Sequence, residues 1–93
     1  MDQKLIGNMK VRQLTAYLMM PLGKYLNPGE VADMAGMVPR TAHMWLGEWA
    51  KAGLVDQKDY GWKDLRFKHQ YRRIFNRVTI IPSGVLFELV KEG

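Results

Sequence analysis

The chain of 93 residues contains no cysteine, which excludes a disulfide framework and any thiolate metal site. Its two histidines, His43 and His69, lack spaced carboxylate partners, so no zinc site of ordinary ligand spacing is expected. Long apolar runs are missing too. One is broken at Pro21 and Gly23 and another at Pro82, Ser83 and Gly84, well short of the roughly eighteen residues a membrane-spanning helix needs. The opening M-D-Q-K-L-I-G-N-M-K carries no apolar segment of signal-peptide length. No G-x-S-x-G, P-loop or H-E-x-x-H motif occurs, and there is neither an internal repeat nor a low-complexity tract. These absences predict a soluble, cytoplasmic protein that is not an enzyme, takes no cofactor or metal and makes no use of a membrane.

What is present describes one globular domain over residues 1–93. Apolar residues make up 47% and charged residues 25%, too apolar for a disordered chain, and the length allows one modest core but not two. The net charge of +5 is unevenly spread. From Asp56 to Arg77 there are seven Lys or Arg against three acids, whereas the other 71 residues hold seven against six. Within that segment the stretch R-F-K-H-Q-Y-R-R-I-F-N-R, residues 66–77, interleaves five bases with Phe67, Tyr71 and Phe75 and has no acid. Segregated positive charge is the footprint of a polyanion partner, because a surface built only for solubility mixes its signs. Asp56, Asp59 and Asp64 lie inside this basic region and are read as salt links that shape it, not as magnesium ligands of a nuclease.

Apolar periodicity predicts a helix over Lys10 to Met20, with Leu22 and Leu26 extending it by a turn around Tyr25. N-P-G-E then reads as a helix start. Asn27 caps, Pro28 takes the first helical position and Glu30 completes a capping box, for a helix from about Pro28 to Ala35 ended by Gly36. Pro39 opens a further helix that runs to Gly53 and buries Ala42, Leu46, Trp49 and Ala50. Beyond Leu54 the pattern changes to strands: L-V-D-Q-K-D-Y, a turn at G-W-K-D, then the alternating R-F-K-H-Q-Y, expected to pair with the β-branched V-T-I-I. Phe67, Tyr71 and Phe75 also fit helical spacing, and the hairpin is preferred. After Pro82-Ser83-Gly84, V-L-F-E-L-V-K-E reads as a terminal helix over about 84–92, with Ser83 as its cap.

The block V-A-D-M-A-G-M-V-P-R-T-A-H-M-W-L-G-E-W-A-K-A-G-L-V, with Val31, Ala32, Gly36, Met37, Thr41 and Ala52-Gly53-Leu54-Val55 at the telling positions, resembles the winged helix-turn-helix family of DNA-binding domains. The polar residue that usually opens the second helix is replaced here by Val38. The resemblance spans about Lys10 to Val90. It implies an α+β, mostly α fold of three helices, a β-hairpin wing and a C-terminal helix, with the helix-turn-helix at about 28–53 and the wing at about 54–81. It also implies that Pro39, Arg40, Thr41, His43, Met44 and Gly47 face the major groove of double-stranded DNA, while Lys63, Arg66, Lys68, Arg72, Arg73 and Arg77 hold its backbone.

Gly47 costs a helix about 1 kcal/mol relative to Ala, so an outward glycine there points to close approach of another surface. Trp49 is read as core, Trp45 as core or phosphate contact, and Trp62 as covering the wing. The terminal helix would be apolar nearly all round, so Val85, Phe87, Leu89 and Val90 are expected to form a homodimer contact together with the first helix. A chain of this kind would serve in a prokaryotic cell, its phage or a mobile element. It would act as a small transcriptional regulator or as the origin-recognising domain of a replication initiator. A protein-docking winged helix is the alternative.

Overall fold

The computed structural model of the chain describes residues 3–59 and 69–91. They form a small α+β fold of three helices and two antiparallel sheets. In chain order the elements are β1 (Gln3–Ile6), α1 (Val11–Met19), α2 (Pro28–Ala35), α3 (Pro39–Ala52), β2 (Val55–Asp59), β3 (His69–Arg73), β4 (Arg77–Ile81) and β5 (Gly84–Glu88). No helix among these residues is long and apolar enough to cross a membrane.

The helices follow the local signals. Asn27 Oδ1 accepts from the Glu30 amide at 2.8 Å and Glu30 Oε1 accepts from the Asn27 amide at 3.0 Å, so the capping box is formed. Gly36 and Gly53 end α2 and α3 with φ of 68° and 78°, a left-handed conformation that glycine takes without steric cost. Leu14, Tyr17, Met20, Val31, Ala32, Ala42, Leu46 and Trp49 are buried in one core. Val11 and Leu18 of α1 are exposed.

Tyr17 sits at the centre of that core. Its ring stands edge-on to Trp49 at 5.5 Å and to Phe87 at 5.2 Å. Its hydroxyl donates to the Leu54 carbonyl at 2.7 Å and accepts from the Phe75 amide at 3.1 Å. One side chain thus ties α1 to the end of α3 and to the link between β3 and β4. Burial pushes its pKa up to about 12, because the ionised form would lose its hydration.

Four expectations are overturned. Residues 84–88 are a strand, not a helix: β5 pairs with β4 through the two-residue turn Pro82-Ser83 and with β1 on its other side. Its burial alternates, with Val85 and Phe87 inward and Leu86 and Glu88 outward, and two partner strands satisfy its backbone. Second, V-T-I-I in β4 pairs with β5, and it is β3 that pairs with β2. Third, the polar start contributes β1. Fourth, Leu22 and Leu26 do not prolong α1; they are extended and bridge to Arg73 and Tyr71 of β3.

Gly84 belongs to this rearrangement. A Cβ there would lie 2.2 Å from the Ile6 carbonyl oxygen, and its φ is 146°, so only glycine lets β1 pass the turn that begins β5. Asn76 completes the sheet by a reciprocal pair of hydrogen bonds with the backbone of Val90, at 2.7 and 2.8 Å.

Candidate nucleic-acid interface

The short link between α2 and α3 is held by the Met37 amide, which donates to the Ala32 carbonyl at 2.9 Å. It sets the start of α3 out from the fold. Val38 occupies the N-cap and offers no side-chain acceptor, and the first turn of α3 contains no acid. Its peptide dipoles therefore leave that end positive and uncompensated by any side chain.

Pro39, Arg40, His43 and Met44 are all exposed here and line one shallow depression. Arg40 has no acidic partner among the described residues. Thr41 is half-buried, and its amide donates back to Val38. Gly47, one turn further on, is open: a Cβ built there would meet no atom within 4 Å. Trp49 is in the core, while Trp45 is half-buried against the core with its ring 6.3 Å from that of Trp49.

The β2–β3 hairpin stands beside α3, and its register decides which side chains meet. Val55, Gln57 and Asp59 share a face with Arg73, Tyr71 and His69. Between this face and α3 runs an open groove with His43, Gly47 and Lys51 on the helix side and Gln57 and His69 on the hairpin side, over a floor that includes Tyr71 and Ile74. His69 Nδ1 lies 2.5 Å from Asp59 Oδ1 and 3.3 Å from Gln57 Nε2, so its ring is oriented by two neighbours.

On the opposite face, Arg72 donates to Asp56 at 2.6 Å and lies over the Tyr25 ring at 4.9 Å, with Lys58 over the same ring at 5.1 Å. The hydrogen bond to Asp56 is the main reason the Arg72 pKa is raised. Tyr25 packs two cations of the hairpin from the link between α1 and α2. Nothing in the sequence marks it for this, because the contact joins residues more than thirty positions apart.

The expected basic set divides. Lys63, Arg66 and Lys68, together with Trp62, lie outside the described residues. Arg72 is on the hairpin and already shared with Asp56. Arg73 turns inward: its guanidinium donates to the Leu18 carbonyl at 2.8 Å, at the C-terminal end of α1, and lies 5.8 Å from the Tyr17 ring. Burial lowers its pKa. It fastens the hairpin to α1 and is not placed to meet a backbone phosphate. Arg77 is exposed, but on β4 in the other sheet and not on the hairpin.

The expected dimer set also changes. Val85 and Phe87 are buried, Phe87 completely, so neither can meet a second chain, and Val90 is tied to Asn76. Leu89 remains exposed. No three of His, Asp and Glu gather as a metal site among the described residues. No family model, curated protein or solved structure matches this chain.

Proposed function

We propose that the chain is a winged helix-turn-helix module that binds double-stranded DNA sequence-specifically, with α3 in the major groove and the β2–β3 hairpin as its wing. The observation that carries this reading is the outer side of α3. Arg40, His43 and Met44 project from an uncapped helix start, and Gly47 leaves the next turn clear for close approach. Arg40 suits guanine, His43 a base edge or phosphate, and Met44 a thymine methyl. The bridge from Leu26 to Tyr71, which adds a short extended segment to the hairpin, also suits this architecture. In this reading the chain serves a small transcriptional regulator or an origin-recognising domain of a replication initiator from a mobile element.

A second reading has its own support. Val38 is 61% exposed and Met44 55%, so the start of α3 carries an apolar surface that a protein partner would also cover.

A titration against a random duplex pool, with sequencing of the bound fraction, separates the two. An enriched motif is expected. Arg40→Ala should then lower affinity for that motif roughly ten- to hundredfold, the worth of a bidentate base contact, and leave affinity for unrelated duplex nearly unchanged. Arg72→Ala should weaken both. No enrichment, with affinity indifferent to salt, would favour protein docking; equal losses in the two variants would contradict the roles assigned to Arg40 and Arg72.

A further inference from the structure

The sheet β1–β5–β4 takes no part in the proposed interface, and β4 is one of its edges. The hairpin register determines which backbone groups that edge shows. The turn at Pro82-Ser83 makes Ile81 and Gly84 its closing pair, so Ile81, Thr79 and Arg77 direct their amides and carbonyls toward β5. The Glu88 carbonyl, opposite Arg77, is turned toward β4 as this alternation requires, since it accepts from the Asn76 amide at 3.0 Å. Val78 and Ile80 therefore present theirs outward, along the edge.

Proteins ordinarily protect such an edge with charge, proline, a bulge or a cover. Here Val78, Thr79, Ile80 and Ile81 are consecutive β-branched, uncharged residues, and the Ile80 side chain is 71% exposed. The other edge, β1, differs: it is only four residues long and includes Lys4.

We propose that β4 pairs with β4 of a second copy of this chain, antiparallel about a two-fold axis at Thr79, to give a six-stranded sheet. With Thr79 opposite Thr79 of the second chain, Val78 faces Ile80 twice. Both are residues with free edge groups, so four inter-chain hydrogen bonds form without any change in the fold. The strand's one charge is placed to allow this: Arg77 falls opposite Ile81, and the two guanidiniums stay apart. The exposed Ile80 gains Val78 of the other chain as its cross-strand neighbour. On the outer face the row Leu5, Leu86, Thr79 continues across the axis into its own copy. The protected β1 edge stops further growth, so the assembly closes at two. A second copy fits better than a foreign peptide because residues 78–81 are uncharged and the strand is self-complementary in this register. The inference stands apart from DNA binding.

Sedimentation at micromolar concentrations should show a dimer. Ile80→Lys should weaken it about tenfold or more in dissociation constant, the loss expected from an unmatched charge at the contact, while circular dichroism stays unchanged. Because the chain has no cysteine, Thr79→Cys supplies a single thiol that lies on the axis, within disulfide reach of its counterpart. It should cross-link rapidly on mild oxidation, and Ile81→Cys, opposite Arg77, should not. A wild-type monomer throughout the concentration range would overturn the proposal. So would a dimer indifferent to Ile80→Lys, or equal cross-linking by the two cysteine variants.

Discussion

Two glycines show what a single residue can and cannot be explained by. Gly84 is required inside the molecule, since a side chain there would strike the backbone of Ile6. Gly47 is not: its helix would accept alanine without contact, and alanine would favour the helix by about 1 kcal/mol. If Gly47 is retained for close approach of DNA, Gly47→Ala should raise the melting temperature and at the same time weaken duplex binding, as read by paired melting and binding measurements. A gain in stability with unchanged binding would remove Gly47 from the interface. Tyr17 provides a second test at this scale. Its folded pKa of about 12 exceeds the ordinary 10, so unfolding favours ionisation above pH 10. Its contribution to stability is complete below pH 10 and is lost as pH rises through 12, at up to about 1.4 kcal/mol per pH unit. Tyr71, also raised by burial, acts in the same direction. Denaturation of Tyr17→Phe between pH 9 and 12 should therefore show a shallower alkaline decline than the wild type, from a lower starting stability.

Individual elements differ in how far local chemistry determines them. Asn27→Ala should destabilise the fold by about 1 kcal/mol in chemical denaturation, because it removes one half of the reciprocal cap on α2. Features of that kind, the cap, Pro39, Gly36 and Gly53, made the three helices and the outward face of α3 legible from the sequence. The strands at 55–59, 69–73 and 77–81 were legible as strands, from β-branched and alternating residues. Their partners were not. β4 pairs with β5 across a two-residue turn, a local hairpin that reading 84–88 as a helix hid, which leaves β3 to β2; the basic tract gave no sign that Arg73 would turn inward to α1. The segment 84–88 was misread for a definite reason. Val85, Leu86, Leu89 and Val90 fit a helical stripe, but Val85 and Phe87 also fit a period of two, and a short apolar run supports either. The presence of β1 beside it decided the matter, and β1 carries too few apolar residues to be recognised alone.

At the scale of the whole molecule, the two proposals fall on different elements, DNA binding on α3 and the β2–β3 hairpin and self-association on β4. Among the described residues, Arg40 and Lys51 are exposed on α3, whereas Arg73 is committed to the fold and Arg77 lies in the other sheet. If about four of Arg40, Lys51, Lys63, Arg66, Lys68 and Arg72 meet phosphates, the logarithm of the binding constant should fall against that of salt with a slope near −4. A two-fold assembly through β4 would carry two copies of α3, and the enriched motif would then show two-fold symmetry.

The pairing of Gln3 with Glu88 joins residues near the two extremes of the sequence. Because β1 and β5 are antiparallel, both ends of the chain leave the sheet from the same end of that pair. Tension applied between them would reach the Asn76–Val90 hydrogen bonds on one side and the Gln3–Glu88 rung on the other, and β1 would then part from β5 at Lys4–Phe87, Leu5–Leu86 and Ile6–Val85 in turn, as a zipper opens. β1 would come away one rung at a time while β5 stayed held by β4 and by the contact of Phe87 with Tyr17, which makes the β1–β5 pair the mechanical fuse of the molecule.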